Sequence, residues 1–299
     1  MYDIIIIGAG PAGLTAAIYA RRAEKSVLVI EKGVFGGQVT FSPKIENYTG
    51  FGELSGAELA DKMVEHAINL GTEFEMETVI GIKGGDIKEV ITENGTFTAK
   101  AVIIATGAAH RHLGIEGEEK YLGNGISFCA VCDGAFYAGR KVTVIGGGNS
   151  ALQEAILLSA TSEKVTVIQN LPMLTGEEAL QNTLRAKSNA EIICSSVVAG
   201  FTGENTLEGL IIKNTESGEE QTIPCDGCFV AIGLIPATDF IKDNITLNAY
   251  GYVDATENCR TNLEGVFVAG DCRSKEIRQI TTATADGATA ALAAIKYIG

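Results

Sequence analysis

The chain has 299 residues, enough for about two domains that each bury a core, and 46% of its residues are hydrophobic. Its formal net charge of −14 argues against binding to nucleic acid or to anionic membranes, which both need basic patches. We expect a cytoplasmic protein, because no apolar run reaches the ~18 residues of a membrane span, no signal peptide is evident, and seven scattered cysteines disfavour a secreted disulfide framework.

The first predicted unit is a strand, a glycine turn, a helix and a second strand. Residues 3–7 predict a buried strand, residues 14–23 a helix and residues 26–30 the second strand. The turn is Gly8-Ala9-Gly10-Pro11-Ala12-Gly13, which has the spacing of a dinucleotide-binding fingerprint. Glu31 follows near the ~20-residue spacing at which a carboxylate binds a ribose hydroxyl. The sequence therefore predicts a nucleotide site here.

The same design returns later in the chain. A second fingerprint, Gly146-Gly147-Gly148-Asn149-Ser150-Ala151, lies between predicted strand 141–145 and predicted helix 152–160. The remaining predicted elements are strands at 100–105, 164–169, 228–232 and 265–271 and an alanine-rich helix at 282–297. This repetition predicts two dinucleotide-binding units.

A Cys-x-x-Cys pair, Cys129-Ala130-Val131-Cys132-Asp133-Gly134, lies between the two fingerprints. Such a pair at the start of a helical turn has one thiol with a lowered pKa, which favours redox chemistry. The alternatives are an inert pair or half of a zinc site, which needs two more ligands, such as Cys225 and Cys228. We favour the redox dithiol.

The other cysteines and a histidine cluster have less specific patterns. Cys225 and Cys228 precede a predicted strand, and we interpret them as packing residues rather than as an auxiliary dithiol or metal clip. The unpaired Cys194, Cys259 and Cys272 are also interpreted as packing residues. His110-Arg111-His112 is interpreted as a solvated linker, with a partner contact as the alternative.

Over essentially its whole length the chain resembles the low-molecular-weight thioredoxin reductases. The shared motifs are the first glycine turn, Gly36-Gly37-Gln38, Ile45-Glu46-Asn47, Ala105-Thr106-Gly107, the Cys-x-x-Cys segment, Gly265–Asp271 and Arg278-Gln279-Ile280. The resemblance implies an α/β fold of two Rossmann-like, three-layer ββα domains, the second inserted into the first. Residues 1–112 plus 244–299 would bind FAD, and residues 113–243 would carry the dithiol. A homodimer is also implied.

The resemblance implies FAD as the cofactor. Gly8, Gly10 and Gly13 would let the backbone and a helix N-terminus approach its pyrophosphate. Asp271 would meet the ribityl-pyrophosphate side, and Gln279 and Ile280 would approach the isoalloxazine ring through backbone groups. The full expected set is Gly8, Gly10, Pro11, Ala12, Gly13, Glu31, Gly37, Gln38, Asn47, Thr106, Gly107, Gly270, Asp271, Arg278, Gln279 and Ile280.

The same resemblance implies the catalytic roles and the partner. Cys132 would face the flavin and accept electrons, and Cys129 would attack the disulfide of thioredoxin. Asp133 matches the acid that handles the thiol proton in the family.

The chain departs from the NADPH-dependent members after the second fingerprint. Those members have a His and several Arg that bind the 2′-phosphate, whereas residues 169–178 here contain no cation and end in two glutamates. A charge-assisted hydrogen bond contributes ~1.5–3 kcal/mol, so losing two would cost ~3–6 kcal/mol. Gln169 is also neutral where an NAD site would have a carboxylate. We therefore expect the second glycine turn to persist for packing.

This departure resembles the ferredoxin-linked flavin thioredoxin reductases, and it implies ferredoxin as the electron donor. An acidic ferredoxin would need a basic patch, for which the candidates are Arg21, Arg22, Lys25 and Lys44. Two other functions stay open: an NAD(P)H-dependent thioredoxin reductase with an atypical nucleotide site, and a flavin redox sensor or interaction protein without turnover. A ferredoxin–NADP reductase of the same fold is disfavoured, because those enzymes usually lack the dithiol.

Overall fold

The computed structural model describes residues 1–42 and 44–299 and divides into two compact units. Unit 1 comprises Met1–Ala109 and Ile235–Gly299, and unit 2 comprises His110–Leu234. The sequence-based boundaries were 112/113 and 243/244. Residues 235–243 belong to unit 1 because Ile241 is buried there in one hydrophobic cluster with Ile5 and Val253.

The strands alternate with a small number of helices. In chain order, the strands are β1 (Tyr2–Ile7), β2 (Val27–Glu31), β3 (Glu73–Met76), β4 (Val79–Lys83), β5 (Lys88–Thr92), β6 (Thr96–Ile104), β7 (Ala108–His110), β8 (Ile126–Ser127), β9 (Lys141–Ile145), β10 (Lys164–Ile168), β11 (Ala190–Ile193), β12 (Ser196–Thr202), β13 (Gly209–Asn214), β14 (Glu220–Pro224), β15 (Gly227–Val230), β16 (Leu234–Pro236) and β17 (Val266–Val268). The helices are α1 (Pro11–Arg22), α2 (Gly56–Asn69), α3 (Glu118–Tyr121), α4 (Ala130–Asp133), α5 (Asn149–Ser159), α6 (Glu178–Arg185) and α7 (Ile280–Ile298).

Unit 1 is built on a seven-stranded sheet in the order β3-β2-β1-β6-β5-β4, with β17 also paired to β6. Strands β3, β2, β1, β6 and β17 pair in parallel, whereas β6, β5 and β4 pair antiparallel. Ile4 and Ile6 of β1 join one hydrophobic cluster and Ile5 and Ile7 another, so both faces of the sheet are covered. The continuous apolar run that predicted this strand is thereby explained.

Helices α1 and α7 pack closely against each other in unit 1. Their contact is lined by small residues, and a Cβ on Gly287 would overlap the carbonyl oxygen of Ala12. This close approach explains the alanine-rich composition of α7 and fixes the start of α1 relative to it.

Unit 2 has three layers. A parallel sheet in the order β11-β10-β9-β15-β8 lies between α5 and an antiparallel sheet in the order β12-β13-β14. Val142 and Val144 of β9 join α5 in one cluster, whereas Ile145 joins residues of β12, β13 and β14 in another. The predicted α/β fold with two Rossmann-like domains is confirmed.

The predicted strands and helices all form, with ends that shift by a few residues. In the part of the chain that the structure describes, no helix has the length and apolar character needed to cross a bilayer.

Candidate functional site

The first glycine turn lies at the carboxyl edge of the parallel strands in unit 1. Gly8 has φ +106°, and a Cβ on it would overlap the carbonyl oxygen of Ala105, which follows β6. A Cβ on Gly13 would in turn overlap the carbonyl oxygen of Gly8. At Gly10, by contrast, no atom would lie closer than 4.0 Å to an added Cβ. The turn is therefore closed against its own strand and helix, but open to a ligand at Gly10.

Glu31, the last residue of β2, holds this turn through both carboxylate oxygens. Its Oε2 accepts a hydrogen bond from the N–H of Ala9 at 2.8 Å, and its Oε1 accepts one from the N–H of Gly33 at 2.8 Å. Helix α1 begins at Pro11 without a side chain that caps its first turn, so its N-terminal amides suit an anion. A Cβ on Gly37 would lie 3.1 Å from the Cα of Gly10, which places Gly37 beside the open part of the turn.

A second group of expected cofactor residues follows β17. A Cβ on Gly270 would lie 2.8 Å from the Cβ of Ala12, so Gly270 lies against the start of α1. The Oδ1 of Asp271 is buried and receives no hydrogen bond, although Lys275 Nζ lies 3.5 Å away. Burial raises the pKa of Asp271, against the opposing charges of Lys275 and Arg278. An acceptor in this state fits a ligand hydroxyl.

Two further expected residues lie next to each other at the start of α7. The Nδ2 of Asn47 donates to Oε1 of Gln279 at 3.3 Å, and Ile280 is the first residue of the helix. Arg278 lies over the ring of Tyr252, with 4.1 Å between its Cζ and the ring centroid.

The last expected positions follow β6 and precede α2. Thr106 donates through Oγ1 to the carbonyl oxygen of Ala237 at 2.8 Å, and Gly107 has φ +69° with open space where a side chain would be. Gln38 is exposed in the short 3₁₀ turn Gly37–Phe41.

Unit 1 fits a bound FAD. Three observations carry this fit: the open space at Gly10, the uncapped start of α1, and the buried Oδ1 of Asp271, which forms an ion pair with Lys275 but accepts no hydrogen bond. Together they offer backbone amides to a pyrophosphate and a buried acceptor to a hydroxyl.

The sequence reasoning missed a buried ion-pair cluster next to Asp271. Asp286 accepts hydrogen bonds from Gly270 N–H at 3.1 Å, from Arg273 Nε at 3.1 Å and Nη2 at 2.9 Å, and from Lys275 Nζ at 3.1 Å. Burial opposes ionisation of Asp286, but the two cations outweigh it and hold its pKa below the ordinary value. The sequence does contain one signal for this cluster, because Asp286 is a lone carboxylate in an alanine-rich helix.

In unit 2, Cys129 and Cys132 form a disulfide, with 5.3 Å between their Cα atoms. Cys129 is the N-cap of α4, and its Sγ accepts a hydrogen bond from Cys132 N–H at 3.2 Å. The predicted Cys-x-x-Cys pair at the start of a helical turn is therefore present as such, which suits thiol–disulfide exchange.

Asp133 is held beside the disulfide by a serine that the sequence reasoning did not identify. Ser127 Oγ donates to Asp133 Oδ2 at 2.6 Å and accepts from Cys129 N–H at 3.1 Å. The Oδ1 of Asp133 is buried without a hydrogen bond, and burial raises the pKa of this carboxyl against the Ser127 hydrogen bond. A carboxyl of this kind can keep a proton for an adjacent sulfur.

The second glycine turn is covered by the segment that follows β10. The side chain of Gln169 is buried, and its Nε2 would lie 2.5 Å from a Cβ on Gly147. The amides of Thr175 and Gly176 both donate to the carbonyl oxygen of Gly147, at 2.8 and 2.9 Å. This part of the turn is thus packed by the chain itself.

The same segment places a carboxylate at the start of α5. Glu177 N–H donates to Asn149 Oδ1 at 2.7 Å, and Asn149 Nδ2 donates to Glu177 Oε1 at 2.8 Å. A phosphate at this helix start would therefore meet a negative charge, with no cation in residues 169–178 to offset it.

The remaining cysteines are free thiols, and four of the five are buried. Burial raises the pKa of Cys225 to about 11 and that of Cys228 further. Residues 1–42 and 44–299 contain no group of three metal-ligating side chains that could hold a metal ion. Buried thiols with raised pKa values fit the packing interpretation of Cys225 and Cys228 better than an auxiliary dithiol.

One interpretation from the sequence was wrong in part. His110 is not a solvated linker residue: its ring stacks on Phe128 with 4.8 Å between centroids, and burial lowers its pKa to about 4. In the candidate basic patch, Arg21 Nε donates to the carbonyl oxygen of Leu70 and Lys25 Nζ to that of Gly299, both within unit 1, and the patch stays a prediction. Lys44 also pairs with two glutamates, at 2.9 and 3.0 Å.

Comparison with known proteins gives matches over nearly the whole chain. Residues 2–287 match the family described as pyridine nucleotide-disulphide oxidoreductase. The chain is 45% identical over 299 residues to a 34.2 kDa protein in a rubredoxin operon of Clostridium pasteurianum, covering 99% of this chain and 97% of the relative. It is 42% identical over 301 residues to the thioredoxin reductase of Listeria monocytogenes, covering 100% and 94%. The crystal structure of a thioredoxin reductase from Streptococcus pyogenes is similar with a TM-score of 0.95 at 42% identity, covering 99% and 98%.

Proposed function

The chain belongs to the low-molecular-weight thioredoxin reductases within the pyridine nucleotide-disulphide oxidoreductase family, and we propose that it reduces thioredoxin with electrons from ferredoxin. It is a flavin-dependent, thioredoxin reductase-like oxidoreductase that binds FAD. The observation that supports thioredoxin reduction best is the Cys129–Cys132 disulfide with the buried carboxyl of Asp133 beside it.

The residues around the first glycine turn would hold the cofactor. Gly10 and the amides at the start of α1 would bind the pyrophosphate, and Asp271 would accept from a hydroxyl of the ribityl side. Glu31, which already holds the turn, has carboxylate lone pairs left for a ribose hydroxyl. Bound FAD supplies a carrier that takes electrons singly and delivers them in pairs.

The dithiol carries the electrons onward. Cys132 receives an electron pair as the S–S bond breaks, and Asp133 supplies the proton that one sulfur takes up. Cys129, as a thiolate, attacks the disulfide of thioredoxin and forms a mixed disulfide. Cys132 then returns its proton to Asp133 and attacks Cys129, which restores the Cys129–Cys132 bond and releases thioredoxin, whose two sulfurs each take a proton from solvent to give the dithiol.

Ferredoxin is proposed as the donor because residues of unit 2 disfavour the binding of a pyridine nucleotide. Gln169 fills the space over Gly147, and Glu177 lies at the start of α5 where a phosphate would bind. Residues 169–178 offer no cation for a 2′-phosphate.

The energetics permit this donor. The reduction potentials of plant-type ferredoxins lie at about −400 mV and that of thioredoxin at about −270 mV. The transfer of two electrons from ferredoxin to thioredoxin is therefore favourable by about 6 kcal/mol. The free thiols suit a reducing compartment, and we place the activity in the cytoplasm and adopt the homodimer of the family.

The function is tested by anaerobic turnover with dithionite-reduced ferredoxin and oxidised thioredoxin, and thioredoxin thiols are counted. We expect thiols to form in proportion to the ferredoxin consumed, two electrons for each disulfide. Glu163→Gln, at an exposed position of unit 2, is the matched control for variants of the dithiol segment. A protein with bound FAD that reduces no thioredoxin with any donor would contradict the proposal and favour a redox sensor.

A further inference from the structure

The helix that carries the dithiol packs on α5 within unit 2. A Cβ on Gly134 would lie 3.0 Å from Cδ2 of Leu158, and Ala130 is buried. Glu154 stands one helical turn before Leu158, just as Ala130 stands one turn before Gly134. This register places the Glu154 side chain next to the peptide that follows Cys129.

Glu154 brings a carboxyl into an apolar contact. Around it, Ala151, Ala155 and Leu158 of α5 belong to one hydrophobic cluster with Ala130. The N–H of Ala130 lies near the Glu154 carboxyl and lowers its pKa, whereas the Oε2 of this carboxyl is buried and accepts no hydrogen bond. Burial raises the pKa of Glu154 to about 7, against the effect of the Ala130 N–H.

The charges around α5 leave this carboxyl without a counter-ion. The titratable or charged groups on the elements packed against α5 are Asp133 and Tyr137 near α4, Glu178 and Arg185 in α6, Lys141 in β9 and Lys164 in β10. Burial raises the pKa of Asp133 and of Tyr137. The two lysines pair with glutamates other than Glu154, and no salt bridge within residues 44–299 includes Glu154. A negative charge added near Ala130 would therefore act on the Glu154 carboxyl, with no counter-ion to neutralise it.

We propose that Glu154 is a positioning residue of the dithiol, which holds the peptide after Cys129 and binds a proton when the Cys129–Cys132 disulfide is reduced. The inference rests on the proposed redox role of this disulfide, but not on the identity of the electron donor.

Charge balance couples the reduction of the disulfide to proton binding at Glu154. Reduction adds two electrons to the S–S bond, and one sulfur becomes a thiol with one proton while Cys129 becomes a thiolate. The thiolate and the Glu154 carboxylate, on two half-buried residues, would be like charges separated by one peptide, which raises the proton affinity of the carboxyl. Glu154 therefore takes a second proton, which comes from solvent, so that Cys129 and Glu154 together keep one negative charge. Glu154 releases this proton when the disulfide forms again.

The test measures protons bound per electron pair in the holoenzyme. The midpoint of the disulfide in dithiothreitol redox buffers is followed from pH 6 to 9 by alkylation of the thiols and mass spectrometry. Above pH 7 we expect the wild type to bind up to about one more proton per electron pair than Glu154→Gln.

The glutamine variant keeps an acceptor for Ala130 N–H, so a merely structural role would leave the proton count unchanged. Glu163→Gln is the control, because it removes an exposed carboxylate of the same unit and should match the wild type. Equal proton counts in Glu154→Gln and wild type would overturn the proposal. Dithiothreitol supplies the electrons, so a failure with ferredoxin or thioredoxin does not enter this result.

A second measurement needs no change at Glu154. The infrared difference spectrum of Asp133→Asn, reduced minus oxidised at pH 8, should gain the C=O band of a protonated carboxyl. A spectrum without such a band would contradict proton binding at Glu154.

Discussion

At the residue scale, the chemistry of unit 2 depends on the few side chains around one disulfide. Ser127 connects Asp133 to the peptide of Cys129 through a single hydroxyl group. Cys129, Cys132 and Asp133 could be predicted because they lie together in one motif of the sequence. Ser127 and Glu154 could not, because their importance comes from burial and from contacts that the fold creates.

The two cysteines should differ in what they trap. In Cys132→Ser the remaining Cys129 thiol should form a mixed disulfide with thioredoxin that no second thiol can resolve. In Cys129→Ser no such adduct should accumulate, because the attacking sulfur is absent. The adducts are measured by non-reducing gel electrophoresis and mass spectrometry. A stable adduct in Cys129→Ser alone would reverse the two roles.

The rate of dithiol reduction should depend on the protonation of Asp133. Because burial raises its pKa, the acid form persists to higher pH than in an ordinary carboxyl and is lost as the pH rises through the raised value. We expect Asp133→Asn to slow thioredoxin reduction by about 10²-fold and to remove that pH step. The measurement is the pH profile of turnover, with Glu163→Gln as the control. A pH step that survives in Asp133→Asn would assign the proton to another group.

At the element scale, continuous apolar runs made the buried strands predictable. The structure forms β9 at Lys141–Ile145, the limits that the sequence predicted. The bounds of helix α2 were not predicted, although Ser55 and Glu58 form a capping box at its start and carry the sequence signal for one. The strands of the antiparallel sheet in unit 2 are half-exposed, so their apolar pattern is weak.

The first glycine turn should tolerate no added methyl group at the base of α1. In Gly13→Ala the new Cβ would overlap the backbone of Gly8, which should cost ~1–3 kcal/mol of stability and displace the turn. We expect a lower ratio of bound FAD to protein, measured by flavin absorbance, and a lower Tm. Gly95→Ala is the matched control, since no atom lies within 4 Å of the added methyl. Full FAD occupancy in Gly13→Ala would contradict the assignment of this turn to the cofactor.

At the scale of the whole molecule, one chain combines two glycine turns of different character. The turn of unit 1 is open at Gly10, whereas the turn of unit 2 is packed by Gln169 and approached by Glu177. The missing cations could be read from the sequence, because a phosphate site needs specific residue types. The packing of Gln169 and the place of residues 235–243 in unit 1 could not, because both depend on the folded chain.

The most direct test of the account is the choice of electron donor, measured by anaerobic stopped-flow loss of oxidised-flavin absorbance. Stoichiometric reduced ferredoxin should bleach the flavin rapidly. The same concentration of NADPH should act at least about 10²-fold more slowly, because the ~3–6 kcal/mol of missing 2′-phosphate contacts is not replaced. NADH should also bleach the flavin slowly, because Gln169 is neutral where an NAD site would have a carboxylate. Rapid bleaching by stoichiometric NADPH, with no response to ferredoxin, would contradict the account.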